Sequence, residues 1–154
     1  TRVRLPGLVR RHIAASSAPL GWALYMVEWM AAEGYAPAPE LQLAARVHLL
    51  RAAHLALTDV GLHTKQFTAE EAVGHLVTRL PIDRGVATAE VRRIACRPLE
   101  ATAAMLGRRE LMRLRADCRT QRGAGFSLPV FHQEVLSYGG LPVPLMRWGM
   151  GLDG

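Results

Sequence analysis

Lysine is nearly missing from this sequence: of nineteen basic residues only Lys65 is a lysine, and the others are arginines. Cysteine is held to two residues, aromatics to 6% of the chain, and no apolar run approaches the roughly 20 residues that a membrane-crossing helix needs. Each shortage excludes something. Cys96 and Cys118 are far apart and follow no CxxC spacing, which argues against a zinc knuckle or a disulfide framework. Apolar neighbours make each of them an expected small core residue, with a reducing cytoplasm as the expected setting. Behind Arg2 and Arg4 no apolar stretch develops before Pro6, Arg10 and Arg11, so neither a signal peptide nor a membrane partner is expected. A nucleic-acid partner is not expected either, because the arginines run from Arg2 to Arg147 without gathering around aromatics, and many stand beside an acid.

Local catalytic motifs are missing as well. HExxH, GxSxG and a phosphate-cradling glycine loop are all absent. His48 and His54 are six positions apart, about 240° around a helix, and cannot chelate one ion from a regular helix. His12, His63, His75 and His132 each stand alone in sequence. No metal and no other cofactor is therefore expected.

What is present is helical text. Half of the residues are hydrophobic and 21% are charged, a composition that supports one domain with a real core over 1–154. Strand-like alternation bounded by hairpin turns is nearly absent, so the expected fold class is all-α. A short first helix is expected near Pro6, and a second after Ser16 and Ser17 to about Gly34. A third should run from about Pro39 through Asp59, closed by Gly61, and the Thr68 to Glu71 capping box should open a fourth that Pro81 stops. A fifth is expected from about Thr88 to the kink or break at Pro98, and a long sixth from there to about Gly123. Ser127 can cap a seventh through Tyr138, and a short helix follows the Gly139, Gly140, Pro142 cluster.

The stretch "PLGWALYMVEWM", residues 19 to 30, is apolar on almost every side. At about 100° per residue, Leu20, Leu24, Val27 and Ala31 share one face and Trp22, Met26 and Trp29 lie almost opposite. Gly21, Tyr25 and Glu28 occupy the strip between, where another backbone could approach and where Tyr25 is a neighbour for the lone carboxylate. This predicts a buried central helix with Glu28 as a paired carboxylate. Elsewhere, His63 sits where a histidine caps a helix C-terminus. Glu90, Arg93, Arg97 and Glu100 fall on adjacent turns around Pro98 and can form one ion-pair network. Lining a cavity, the same arginines would hold a carboxylate in a bidentate fork. His132 opens a helix, in a packing role or beside a site.

Several blocks, in order, resemble a bacterial family catalogued as domain of unknown function eight-eight-five, whose HExxH proteins are similar to gluzincin zinc peptidases. "LPGLVRRH" with "LGWALY" resembles the segment after the zinc helix, where the family reads EGWALY. "RAAHLALTDVGLHTKQFTAEEAV" is similar to its RA-x-x-L-x-x-D-x-GLH stretch and the helix behind it. "EVRRIACRPLEATAAMLG" resembles EVxRY and the run ending in Tyr-x-x-Gly, and "FHQEVLSYGGLPVPLM" resembles the FHDxxLxxGxxPxxxL ending. The resemblance implies a helical C-terminal part of a larger fold, and the opening at Thr1 adds to the expectation of a truncated chain.

It also implies a zinc cleft, with two ligands and the catalytic glutamate from HExxH and a third ligand from the glutamate of EGWALY. Here HExxH is absent and Leu20 holds that glutamate position. Ala104 and Ile94 stand where the family has tyrosines. Trp22, Tyr25, Asp59, His63, Glu90, Arg93 and His132 match it, with Trp22, Tyr25 and His132 expected on the pocket wall. The expected role is a non-catalytic, metal-free binding or assembly subunit, not a zinc peptidase on this chain alone, with a homodimer or a protein partner covering the helix at Trp22 and Trp29. Two alternatives stay open. One is a metal-independent hydrolytic or biosynthetic enzyme using His63, Arg93, Glu100 or Glu28. The other is a half-domain completed by an HExxH-bearing partner, against which Leu20 counts.

Overall fold

The computed structural model describes residues 17–35 and 38–152, and everything below refers to those residues. Seven α-helices and a single 3-10 turn follow one another, with no strand among them: α1 (Ser17–Ala32), α2 (Pro39–His63), α3 (Ala69–Arg79), α4 (Arg84–Cys96), α5 (Glu100–Arg122), the turn Gly123–Gly125, α6 (Leu128–Ser137) and α7 (Val143–Gly149). The all-α expectation holds. The helix expected near Pro6, and His12 with it, lie outside the described residues.

Local chemistry explains most boundaries. Thr68 caps α3 in a full capping box, its hydroxyl accepting from the Glu71 N–H while the Glu71 carboxylate accepts from the Thr68 N–H. Asp83 accepts from the Val86 N–H and starts α4 at Arg84, four residues ahead of the expected start at Thr88. Pro98 separates α4 from α5 rather than kinking one long helix. Gly61 does not close α2, which continues to His63. A Cβ at Gly61 would run into the Phe67 ring, so its glycine serves a close approach and not a stop.

Helix α5 is the spine, packed along α1 and α2. Gly21 of α1 and Gly107 of α5 let these two helices touch backbone to backbone: a Cβ on Gly21 would strike the Gly107 carbonyl carbon, and one on Gly107 would strike the Ser17 carbonyl. Around this seam α6 and α7 complete one core, which buries Tyr25, Leu111, Leu114, Cys118, Phe131 and Met146. A second, smaller core joins α3 and α4 through Ala72, Leu76, Ala87 and Val91, with Leu55 and Leu62 of α2 beside it.

Cys118 is the core residue expected, whereas Cys96 is exposed at the end of α4, because the buried face of that helix is taken by Ala87, Val91 and Ile94. Along α1 the deepest residues include Gly21 and Tyr25 on the strip facing α5, and Glu28 further along is not buried: its side chain is 40% exposed and paired with Arg108.

Candidate functional site

Three polar assemblies compete for the role of a site. The first builds α5. The residue just ahead of it, Leu99, adopts φ 67° and caps nothing with its own side chain. Asp59, fully buried on α2, caps it from outside, accepting from the Leu99 N–H (3.0 Å), the Thr102 N–H (3.0 Å) and the Thr102 hydroxyl (2.9 Å). The left-handed Leu99 is strained, and this carboxylate at the positive end of α5 offsets that cost. Burial alone would raise the Asp59 pKa, but the hydrogen bonds from Thr102 and Leu99, with His63 beside it, outweigh burial and hold it below the usual carboxylate range. His63 ends α2 with Nδ1 2.8 Å from the Asp59 carbonyl and 3.0 Å from its carboxylate, a capping position.

The second assembly surrounds His132. Trp22, Tyr25 and Trp29 of α1 meet its ring edge to face, with centroids 5.5, 5.5 and 4.8 Å away. The Tyr25 hydroxyl and His132 Nε2 are hydrogen-bonded at 2.8 Å, and Arg115 of α5 donates to the same oxygen at 3.4 Å. Burial pushes the Tyr25 phenol up and the His132 imidazole down, the latter helped by Arg115. Both shifts favour a neutral phenol donating to a neutral imidazole, a bond suited to locking α6 onto α1. The expected pocket-wall trio is therefore one contiguous cluster, joined by Trp29.

The third is a cleft of about 170 Å³ between α1, α2, α4 and α5. Leu20, Leu24, Leu55, Ala101 and Ala104 supply its apolar lining, and His48, Arg51, Arg93 and Glu100 its polar one. Arg93 donates from Nε to Glu90 (3.0 Å) and from Nη1 to Glu100 (2.9 Å). Arg51 reaches Glu90 from α2, and Arg97 donates to Glu100 at 3.3 Å. Burial would raise the Glu90 pKa, yet Arg93 and Arg51 hold it below the usual range. The expected network of Glu90, Arg93, Arg97 and Glu100 is real and lies at a cavity.

Of the four residues singled out as acid, base or anion holder, the structure brings Arg93 and Glu100 together in the cleft. His63 is engaged with Asp59, and Glu28 with Arg108. Trp22, Tyr25 and His132 do not line this cleft. Two lining residues were missed, His48 and Arg51, although their spacing with Ala52 and Leu55 sets all four on one helical face. Arg115 and Arg108, which complete the other polar groups, left no local signal.

The zinc cleft that the resemblance implies would lie here, since Leu20 and Ala104 both line this cleft. Its donor set does not fit zinc. Leucine and alanine offer no ligand atom, His48 and Glu100 are the donor types present, and Glu100 is already bonded to two arginines. Among the described residues no three His, Cys, Asp or Glu side chains gather in a way that could hold an ion.

Fold and site together define an all-helical domain with a cleft that Arg51 and Arg93 line beside apolar residues. The chain belongs to the family of bacterial proteins of unknown function DUF885, whose profile matches residues 2–150. It is similar to the crystal structure of a "putative lipoprotein" from Colwellia psychrerythraea, with a TM-score of 0.87 and 28% identity over 95% of this chain. The match covers 26% of that protein, so the chain spans about a quarter of that relative's length. No protein of curated function matches the chain.

Proposed function

We propose that this chain is a non-catalytic, metal-free helical domain, derived from a zinc metallopeptidase-like fold and acting in binding or assembly. One observation carries the reading: Leu20 and Ala104, which stand where the resemblance implies a zinc-binding carboxylate and a tyrosine, line the same cleft. Leucine cannot coordinate a metal, and alanine cannot donate to a developing oxyanion. Elemental analysis of the purified chain, beside peptide hydrolysis with and without a chelator, tests it. Zinc far below one per chain is expected; stoichiometric zinc with chelator-sensitive hydrolysis would sink the reading.

The assembly half of the proposal rests on α2. Leu43, Val47, Leu50 and Leu57 recur at intervals of four, three and seven, and are 62, 38, 47 and 57% exposed. Leu43, Val47 and Leu50 keep the spacing of a coiled-coil seam as far as the next seam position, His54, which pairs with His75 of α3, and a second copy of the chain is the occupant proposed for it. Trp22 and Met26, the other apolar face of interest, already pack against the larger core. Light scattering should give a dimer that Leu50→Asp reduces to a monomer, whereas a monomeric parent chain would remove this half. The free cysteines suit a reducing compartment, which keeps the cytoplasm as the proposed location.

A metal-independent enzyme is the second reading, favoured by Arg93 and Glu100 lining the cleft. Loss of a measured turnover in Arg93→Ala or Glu100→Ala, with His63→Ala and Glu28→Ala unaffected, would establish it over the first.

A further inference from the structure

We infer that the cleft between α1, α2, α4 and α5 binds a small monocarboxylate with a compact apolar body, its carboxylate held by Arg51 and Arg93. The inference deepens the metal-free binding reading and rests on it. Geometry supplies the first argument. The cleft is predominantly apolar, lined by Leu20, Leu24 and Ala104 among others, and the Arg51 and Arg93 side chains line it too, so an apolar ligand body there has two guanidine side chains beside it. Its volume of about 170 Å³ is close to that of a cavity that takes a benzene ring, which gives room within the cleft for a handful of carbon atoms beyond the carboxylate.

Charge supplies the second argument. Arg51, Arg93 and Arg97 face Glu90 and Glu100, so the network keeps one net positive charge and has room for one anion. Donor capacity is also left over. Two guanidiniums carry ten N–H groups, and Glu90 and Glu100 take three of them from Arg51 and Arg93. Glu90 holds both arginines from behind, since it is bonded to each and does not itself line the cleft. Preorganised arginines of this kind match a carboxylate better than a lysine would.

Calorimetric titration of the 154-residue chain with 4-methylpentanoate and with 4-methylpentanamide tests the inference. The acid should bind at least about tenfold more tightly than the amide. Arg51→Met should weaken the acid by a similar factor. Ala104→Leu should fill the floor and abolish binding while the melting temperature is retained; should it fail to fold, Ala101→Leu fills the same floor from the preceding turn. Two sources of such a carboxylate are separable with a tetrapeptide ending in leucine, free or amidated at its C-terminus. Tighter binding of the free-ended peptide identifies a chain terminus, and binding of the small acid alone identifies a free acid. Equal affinity for acid and amide, no binding of either acid or peptide, or binding untouched by filling the floor would overturn the inference. Zinc measured on the same sample keeps the two ideas apart: failed binding in a metal-free sample ends this inference alone, and one zinc per chain ends the reading beneath it.

Discussion

Helices α1 and α5 meet twice, in opposite ways. At Gly21 and Gly107 their backbones touch, with no room for a single methyl group. Near Leu20, Leu24, Ala101 and Ala104 the same two helices part around the cleft they share with α2 and α4. Small residues appear at both places, yet they act differently: glycines close the seam, and alanines leave space that nothing among the described residues fills. The difference teaches that a small side chain in a helix is read only with its neighbour in view. An opposing backbone makes it indispensable, and an opposing cavity makes it replaceable.

The sharpest way to break this contrast is to crowd the seam. Gly107→Val is expected to cost more than about 3 kcal/mol, because the clash falls on the Ser17 carbonyl and no rotamer can relieve it. Gly21→Val should do the same. Urea unfolding measures both, and a variant within about 1 kcal/mol of the parent would mean that the helices can separate freely.

Next in size is the cap that starts α5 beside the cleft. Asp59→Ala should cost about 2 to 4 kcal/mol at neutral pH, since it orphans the N–H groups of Leu99 and Thr102 and leaves Leu99 strained. The sign with pH follows from the lowered Asp59 pKa. Its contribution is fully present above the unfolded value of about 3.9 and disappears as pH falls through the folded one, so parent and Asp59→Asn should converge in stability in strong acid. A gap that persists there would assign the effect to packing.

A smaller effect is expected on the far side of α2, where His54 Nδ1 and His75 Nε2 lie 3.1 Å apart and Phe67 stacks on His75. Burial lowers the His75 pKa, with His54 and Arg79 adding to it. The unfolded chain therefore takes up a proton that the folded chain resists. Stability should be full above about pH 6.5 and decline as pH falls below it. His75→Phe should flatten that decline in a thermal melt series, and an unchanged slope would trace it to another group.

How far these features could be read beforehand varies with distance along the chain. The Thr68 and Glu71 capping box spans three residues and stands in plain sight. Gly21 was readable as a point of backbone approach, because it lies on the narrow strip of an otherwise crowded helix. Asp59 was not readable as the cap of α5, since it acts across 40 residues on a helix whose own cap residue, Leu99, gives no signal. Gly61 was misread as a stop because its true neighbour, Phe67, arrives only when the chain turns back. In the cleft the ion pairs were legible from spacing, while Leu20 and Ala104 gained meaning only from resemblance. That His48 and Arg51 join them depends on how α2 packs, which no local pattern encodes.

The smallest expected effect is the one that completes the contrast. Ala104→Leu adds as many atoms as Gly107→Val does at the seam, yet it should change stability by no more than about 0.5 kcal/mol. Its side chain can enter open space beside Leu20 and Leu24, displacing water from an apolar floor, and the apolar area it buries offsets the rotamer freedom it loses. If Ala104→Leu instead proves as damaging as Gly107→Val, the cleft is packed shut in solution and the separation of α1 from α5 on that side is not a resting property of the fold. Tolerance of leucine at 104, with intolerance of valine at 107, would mean that one helix carries a structural face and a ligand-accepting face less than one turn apart.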